Sequence, residues 1–203
     1  MSNLLTATIT IEGTRPLLFH RFSPEALPLT KKETKGVAGN QPDEWKQTVL
    51  MTAERQLYLP GTYFFSCLRN AAQYAKAGRN TLHRKVASTL QVLSDIALID
   101  NRFVPEDPVQ LDLSVLPNET PPVYLSVTGV RNPATKARNV RYRIAAAPGW
   151  SCQFQIGWDI TVVDRDLMQS ICIDAGRLVG LADARLIGYG RFEVIDYQLG
   201  DTS

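Results

Sequence analysis

The sequence predicts an α+β fold in which an antiparallel sheet carries helices on one face. Three observations lead to this prediction. Strands of alternating apolar and polar residues occur near both ends of the chain, helices with one apolar side lie between such strands, and residues 124–145 have the pattern of a β-hairpin. The order strand, helices, strand or hairpin, strand, helix, strand fits a ferredoxin-like (RRM-like) sandwich, which leaves the other sheet face free.

The first strand is predicted over residues 4–12. Its apolar positions alternate with threonines: Leu5, Ala7, Ile9 and Ile11 against Thr6, Thr8 and Thr10. This period of two, in β-forming residues, is typical of a strand with one buried face. Residues 28–44 are polar and carry almost no apolar anchor, so they predict a mobile loop, and a short helix is expected from residues 42–44 through Trp45 and Val49.

Two helices are expected in the middle of the chain. Thr62 is placed to cap the first, whose apolar positions are Phe64, Leu68, Ala71 and Ala75. The second begins near Thr81, with Leu82, Val86, Leu90 and Leu93 on one side. The helical spacing favours Phe64 as a core residue, although aromatic residues here are also suited to stacking on nucleic-acid bases.

The third region combines a proline-rich stretch with a hairpin. Five prolines within residues 105–122 restrict regular structure there to an edge strand over residues 109–115. Alternating residues at 124–130 and 139–145 predict a pair of strands with a polar, basic tip.

The C-terminal quarter has the clearest pattern. Residues 151–163 alternate as a strand, Asp164 is placed to cap a helix, and a sharp turn at residues 188–191 leads into a last strand from Phe192. The helix stripe predicted to be buried consists of Leu167, Ile171, Ala175 and Leu178, and it ends near Gly180.

A chain of 203 residues is long enough for one large domain or two small ones, and the order of its elements fits a single domain over residues 1–203 with insertions at 13–57 and 95–122. We expect a cytoplasmic protein. No apolar run approaches the roughly 18 residues needed to span a bilayer, and the N-terminus lacks a signal-peptide pattern. The three cysteines, Cys67, Cys152 and Cys172, are odd in number and lie in apolar surroundings without metal-ligand spacing. We therefore expect reduced core thiols, no metal and no cofactor.

Two windows concentrate positive charge without any acid. The first contains Arg69, Lys76, Arg79, Arg84 and Lys85, and the second contains Arg131, Lys136, Arg138, Arg141 and Arg143. A chain with a net charge of only +2 that separates its charges in this way can present a polyanion-binding face. The alternation places Arg141 and Arg143 on one strand face, which concentrates the charge, but a solvated hairpin is the common outcome for such a run.

Two segments resemble the RAMP superfamily, whose members build CRISPR effector complexes. Residues 58–72, which contain Pro60-Gly61-Thr62 and Arg69, look like that superfamily's pattern of an aliphatic residue, Pro-Gly, a small hydroxyl residue and a helix that carries an arginine followed by small residues. Residues 176–192 are similar to its helix, glycine-rich loop and strand, although Asp183-Ala184-Arg185 stands where the loop often has glycines. The resemblance covers roughly 30 residues and implies a non-enzymatic antiviral-defence subunit. Such a subunit binds single-stranded RNA, or less often DNA, and associates with itself and with other effector subunits.

The expected nucleic-acid-binding residues are therefore those of the two basic windows and of the glycine turn. They are Arg131, Lys136, Arg138, Arg141, Arg143, Arg69, Lys76, Arg79, Arg84, Gly188, Gly190 and Arg191. For the turn, the functional interpretation is a loop whose backbone approaches a phosphate. The alternative is that the glycines supply positive φ angles and let strand and helix pack closely.

Two other functions stay open. A related branch of the superfamily, the guide-processing endoribonucleases, uses a histidine as general acid and base, and His20 is the candidate here. Asp43 is a lone acid of the kind that metal-dependent cleavage uses, although a solvated loop acid is the common case. The third possibility is a phage or prophage assembly protein that uses its hairpin for protein contacts.

Overall fold

The computed structural model describes residues 3–22, 41–77, 80–112, 120–131, 136 and 138–200. The strands are β1 (Leu4–Gly13), β2 (Leu17–Leu18), β3 (Gln56–Pro60), β4 (Lys76–Ala77), β5 (Asn80–Thr81), β6 (Gln91–Val92), β7 (Ile96–Phe103), β8 (Gln110–Asp112), β9 (Val123–Arg131), β10 (Arg138–Ala146), β11 (Ser151–Asp159) and β12 (Phe192–Leu199). The α-helices are α1 (Glu44–Thr48), α2 (Gly61–Ala71), α3 (His83–Thr89) and α4 (Arg165–Asp174). The fold is a mixed α+β fold with antiparallel sheets, as the sequence predicts.

The chain divides into two compact units, each built from separate segments. Unit 1 consists of Met1–Leu17, Tyr58–Asn101 and Pro148–Ser203, and unit 2 consists of Leu18–Leu57 and Arg102–Ala147. The first segment of unit 2 nearly coincides with the insertion expected at residues 13–57. The second segment contains much of the insertion expected at 95–122 together with the hairpin.

Unit 1 contains a four-stranded sheet in the order β12-β1-β11-β6. The first strand runs antiparallel to both neighbours, and its alternation works as predicted, because Leu5, Ala7, Ile9 and Ile11 are buried. From α2, Phe64 stacks on Phe154 of β11 with ring centroids 4.1 Å apart. Phe64 is thus a core residue, and its burial fixes the helix against the inner sheet face.

Two apolar positions of the predicted helix stripes, Leu178 and Leu93, are exposed. The cap of α4 is confirmed, since the Asp164 carboxylate accepts a hydrogen bond from the Leu167 amide at 2.9 Å. The helix then widens into a π-helical turn at Ala175–Val179, which adds a residue to the turn and rotates Leu178 outward to 44% exposure. Leu93 is 48% exposed because α3 ends at Thr89 and the chain continues as a strand instead of a helix.

Unit 2 is organised by a second sheet in the order β2-β10-β9-β8. The predicted hairpin is confirmed, because β9 and β10 pair antiparallel from Val123 opposite Ala146 to Arg131 opposite Arg138. At the edge of this sheet β8 pairs parallel to β9. The sequence predicts an edge strand over residues 109–115, and β8 confirms it at residues 110–112. Residues 113–115 of that strand, and residues 28–40 of the expected loop, lie outside the described residues.

The cysteines are buried and unpaired, as the sequence predicts. Burial raises the pKa of the Cys67 thiol to about 12, against the opposing effect of the positive charges of Arg185 and Arg191. Across the described ranges, no group of His, Cys, Asp and Glu side chains is arranged to hold a metal ion. None of the helices in those ranges has the length and apolar character that crossing a membrane requires.

Candidate nucleic-acid interface

The end of the unit 2 hairpin brings three cations together. Arg131, the last residue of β9, lies directly opposite Arg138, the first residue of β10, and both are exposed. Lys136 in the connecting segment is also exposed and has a left-handed backbone with φ 60°. We call these three residues the hairpin tip. Like charges in directly opposed cross-strand positions destabilise a hairpin, so the tip has an electrostatic cost that a bound anion would remove.

The other two arginines of the hairpin, Arg141 and Arg143, share one face of β10, as predicted, and Arg138 lies on the other face. Both arginines make contacts within unit 2. Arg143 is only 6% exposed and donates a hydrogen bond to the Thr128 hydroxyl on the neighbouring strand. Arg141 forms an ion pair with Glu44 of α1 at 2.5 Å. Because these guanidinium groups are engaged inside the unit, the five cations of the window do not form one open row.

Glu44 is the centre of a polar cluster that the sequence pattern did not single out. Its Oε1 atom lies 2.9 Å from His20 Nε2 and also accepts from Arg141, which is 97 residues away in sequence. Burial alone would raise the pKa of Glu44, but the hydrogen bond with His20 and the charge and hydrogen bond of Arg141 outweigh it, so the pKa is lowered. The cluster fixes α1 against the base of the hairpin and positions His20.

The lone acid beside this cluster has a local role. Asp43 precedes the first residue of α1, and its carboxylate pairs with Lys46 at 2.6 Å. Both side chains are mostly exposed, so this contact contributes little to stability.

The basic residues predicted in residues 69–85 fall in unit 1 and are scattered over several elements. Arg69 is half-buried on α2, where its Nη2 atom lies 3.4 Å from Asn70 Oδ1, and Arg84 is exposed on α3. Lys76 lies in β4, and Arg79 is outside the described residues. Arg84 is therefore the candidate of this window whose side chain is exposed among the described residues of unit 1.

The glycine turn has two different glycines. A Cβ atom on Gly190 would lie 2.0 Å from the Leu181 carbonyl oxygen, so the absence of a side chain allows two backbone segments to meet. Gly188 has a φ of 93° and no atom within 4 Å of that position, which leaves its backbone open. Arg191 is partly buried, and its carbonyl oxygen accepts hydrogen bonds from the amides of Thr14 and Arg15. Close packing is therefore the geometric role of Gly190, and open space remains only at Gly188.

Two further residues in this loop take the left-handed conformation without being glycine. Ala182 and Ala184 have φ angles of 58° and 57°, and a 3₁₀ turn at Arg185–Ile187 follows. Left-handed geometry at a residue with a Cβ costs on the order of 1–2 kcal/mol, so this loop is held in place by its surroundings. From the sequence, this stretch differs from the family loop in lacking glycines. The sequence did not reveal that Ala182 and Ala184 adopt the left-handed backbone that usually requires glycine.

The outward face of the unit 1 sheet is polar and acidic. Gln153 and Gln155 of β11 donate hydrogen bonds to Thr10 and Thr8 of β1, each at 3.2 Å. The pairing register places four carboxylates on the same face, those of Glu12, Asp159, Glu193 and Asp196. Among the described residues of this face in β1, β11 and β12 there is no lysine, arginine or aromatic side chain. This face therefore repels phosphates and offers no stacking platform.

Comparisons with known proteins bear on the fold. No family model matches the sequence, and no curated protein sequence matches it significantly. A chain in the cryo-EM structure of the type III-B Cmr-beta bound to cognate target RNA matches with a TM-score of 0.52 and 12% identity. The match covers 97% of this chain and 60% of the other, so this chain spans 60% of its neighbour's length.

A chain from a type IV-B CRISPR complex matches with a TM-score of 0.48 and 13% identity, over 98% of this chain and 91% of the other. At such low identity, likeness to a solved structure concerns the fold alone. The fold of this chain is similar to that of a protein in the type III-B Cmr-beta structure.

Proposed function

We propose that this chain is a non-enzymatic RAMP-like subunit of a CRISPR-type ribonucleoprotein. It binds single-stranded nucleic acid, RNA in preference to DNA, by the phosphate backbone, and it associates with further copies and with other effector subunits. The observation that carries the proposal is the hairpin tip, where Arg131 and Arg138 oppose each other in solvent beside Lys136. A phosphodiester between two guanidinium groups would turn their repulsion into two attractive contacts.

The arrangement of unit 1 supports a ferredoxin-like domain within this proposal. Its major elements follow the order β1, α2, β6, β11, α4 and β12, which is the βαββαβ order of that fold. The two outer strands in sequence, β1 and β12, pair side by side, as do β11 and β6. The likeness to a protein from an RNA-bound type III-B structure is a second support and is the reason for favouring RNA.

The charge distribution argues for the hairpin instead of the sheet as the binding element. RRM domains stack bases on aromatic residues of their open sheet face. In this chain the corresponding face carries glutamines, threonines and carboxylates, including Glu12 and Asp196. We therefore assign phosphate contact to the hairpin tip, with Arg84 as an additional exposed cation of unit 1.

The test is the salt dependence of binding. Fluorescence anisotropy with a labelled single-stranded RNA and its DNA equivalent gives the slope of log K against log salt concentration. Each of the single substitutions Arg131→Gln, Lys136→Gln and Arg138→Gln should reduce the magnitude of that slope by about 0.7, the value for one lost phosphate contact on a single strand. Arg165→Gln, an exposed arginine at the start of α4, is the matched control and should leave the slope unchanged. Absent or salt-insensitive binding by the unmodified chain would refute the proposal and favour a protein-binding role for the hairpin.

A second candidate function, a metal-independent endoribonuclease, is favoured by one observation. His20 Nε2 lies 2.9 Å from the Glu44 carboxylate, and a carboxylate partner is what orients a histidine for proton transfer. The measurement is cleavage of labelled RNA in excess chelator, compared between the unmodified chain and His20→Ala. Cleavage that disappears in the variant would establish this activity, whereas intact RNA in both samples would remove it.

A further inference from the structure

The 3₁₀ turn of the glycine loop presents an apolar projection. Leu186 is 102% exposed relative to a reference residue and Ile187 is 75% exposed, so most of both side chains lies in solvent. The backbone on both sides is left-handed, at Ala184 before the turn and at Gly188 after it. We call Arg185–Ile187 the knob. Two large aliphatic side chains held in water on a strained turn are unfavourable for the isolated chain, which points to a partner that covers them.

Unit 1 also contains a hollow of complementary character. It has a volume of about 260 Å³ and lies where α2 begins, with a lining of Gly61, Thr62, Phe65, Val92, Ser94 and Asp95. Ile96, which follows Asp95 in the chain, is about half exposed, at 50%. We call this hollow together with Ile96 the socket. Its apolar walls suit aliphatic side chains such as those of the knob.

The charges at the two surfaces are also complementary. Arg185 stands at the start of the knob, and Asp95 is an exposed residue in the lining of the socket. Within the described chain neither side chain takes part in a salt bridge. If the knob enters the socket, an arginine and an aspartate that lack ionic partners meet beside an apolar contact. Such opposite charges orient the contact and favour this pairing over like-to-like alternatives.

We propose that the knob of one copy of this chain inserts into the socket of the next copy. The two surfaces are different, so the contact is head-to-tail, and repetition leaves a free knob at one end and a free socket at the other. This inference rests on the self-association included in the proposed function and names the residues that carry it. Copies aligned on one strand raise each other's effective concentration, so a modest contact suffices for assembly along nucleic acid.

The experiment is sedimentation analysis of the full chain, alone and on a long single-stranded oligonucleotide. The knob variant carries Leu186→Glu with Ile187→Glu, and the socket variant carries Ile96→Glu with Asp95→Arg. Each variant alone should remain monomeric in free solution, while an equimolar mixture should form a complex of two chains and no larger species. That outcome follows because one intact knob and one intact socket remain per mixed pair. Ile173→Glu, which replaces a 39%-exposed apolar residue on α4, is the control and should assemble like the unmodified chain.

A charge exchange sharpens the test. Arg185→Asp and Asp95→Arg should each weaken association by at least about tenfold, while the chain carrying both should recover it. The inference is overturned if the unmodified chain stays monomeric both alone and on the long strand, or if the knob and socket variants assemble as it does. On an oligonucleotide that holds one copy, both variants should still bind with an unchanged salt slope, because neither removes a cation of the hairpin tip. An unmodified chain that binds the short strand but does not assemble on the long one would refute this contact alone. An unmodified chain that does not bind the short strand would refute the proposed function.

Discussion

Replacing Arg138 by glutamate should stabilise the free protein while it weakens nucleic-acid binding. Arg138 lies directly opposite Arg131 with both side chains in solvent, so the change turns a repulsive cross-strand pair into an attractive one. Favourable and unfavourable charge pairs at such positions differ from neutral pairs by about 0.2–1 kcal/mol. We expect the free energy of unfolding to rise by about 0.5–1 kcal/mol, which for a chain of this length is a melting-temperature increase of about 1–4 °C.

The binding effect has the opposite sign. A phosphate that was attracted by Arg138 would now face a carboxylate, so affinity should fall and the salt slope should shrink by at least about 0.7. Thermal unfolding at low and high salt, together with anisotropy titrations on the same samples, measures both quantities. The stability gain should decrease at high salt, because exposed charges are screened.

Further variants isolate the cross-strand term. Arg131→Glu should reproduce both effects, and Arg138→Gln should give a smaller stability gain, because it removes the repulsion without adding an attraction. The double variant with both glutamates should lose the gain, since it restores a like-charge pair. A lower melting temperature in Arg138→Glu would show that the opposed arginines are not in conflict. A higher melting temperature with unchanged binding would show that the hairpin tip does not contact the strand.

Two other sites give sharp expectations. Gly190→Ala should destabilise the fold by more than about 3 kcal/mol, because the new methyl group would overlap the Leu181 carbonyl oxygen at 2.0 Å, whereas Gly188→Ala should cost only about 1–2 kcal/mol from its positive φ. Urea unfolding of the two variants distinguishes them, and equal costs would contradict the assigned roles. The lowered pKa of Glu44 means that its stabilising contribution is complete above its ordinary pKa of 4.5 and is lost as the pH falls through the lowered value. Glu44→Gln should therefore reduce stability at neutral pH and flatten the acid limb of the stability curve, and an unchanged limb would exclude this linkage.

The elements that local sequence determines were predicted well. The alternation in β1 and β11, the Asp164 cap of α4 and the pairing of β9 with β10 all depend on residues that are neighbours in the chain or across one turn. These patterns express backbone geometry and side-chain burial within single elements, so they can be read without knowledge of the rest of the fold.

Burial of individual polar residues depends on distant parts of the chain. Arg141 and Arg143 look equivalent in the sequence, yet one pairs with Glu44 and the other is enclosed next to Thr128. The exposure of Leu178 similarly depends on a π-helical turn that closes with a hydrogen bond from the Gly180 amide to the Ala175 carbonyl. No local pattern carries that information, because it is set by which elements pack together.

By itself, the sequence determined the mixed α+β class, the main strands and helices, and the concentration of positive charge in the hairpin. The tertiary structure decided which of those charges remain available, namely Arg131, Lys136 and Arg138 at the tip. It also distinguished the packing glycine at 190 from the open glycine at 188, and it exposed Leu186 and Ile187. The physical reason is that residue type and period fix local conformation, whereas solvent access, ion pairing and close backbone contact arise only when distant segments meet.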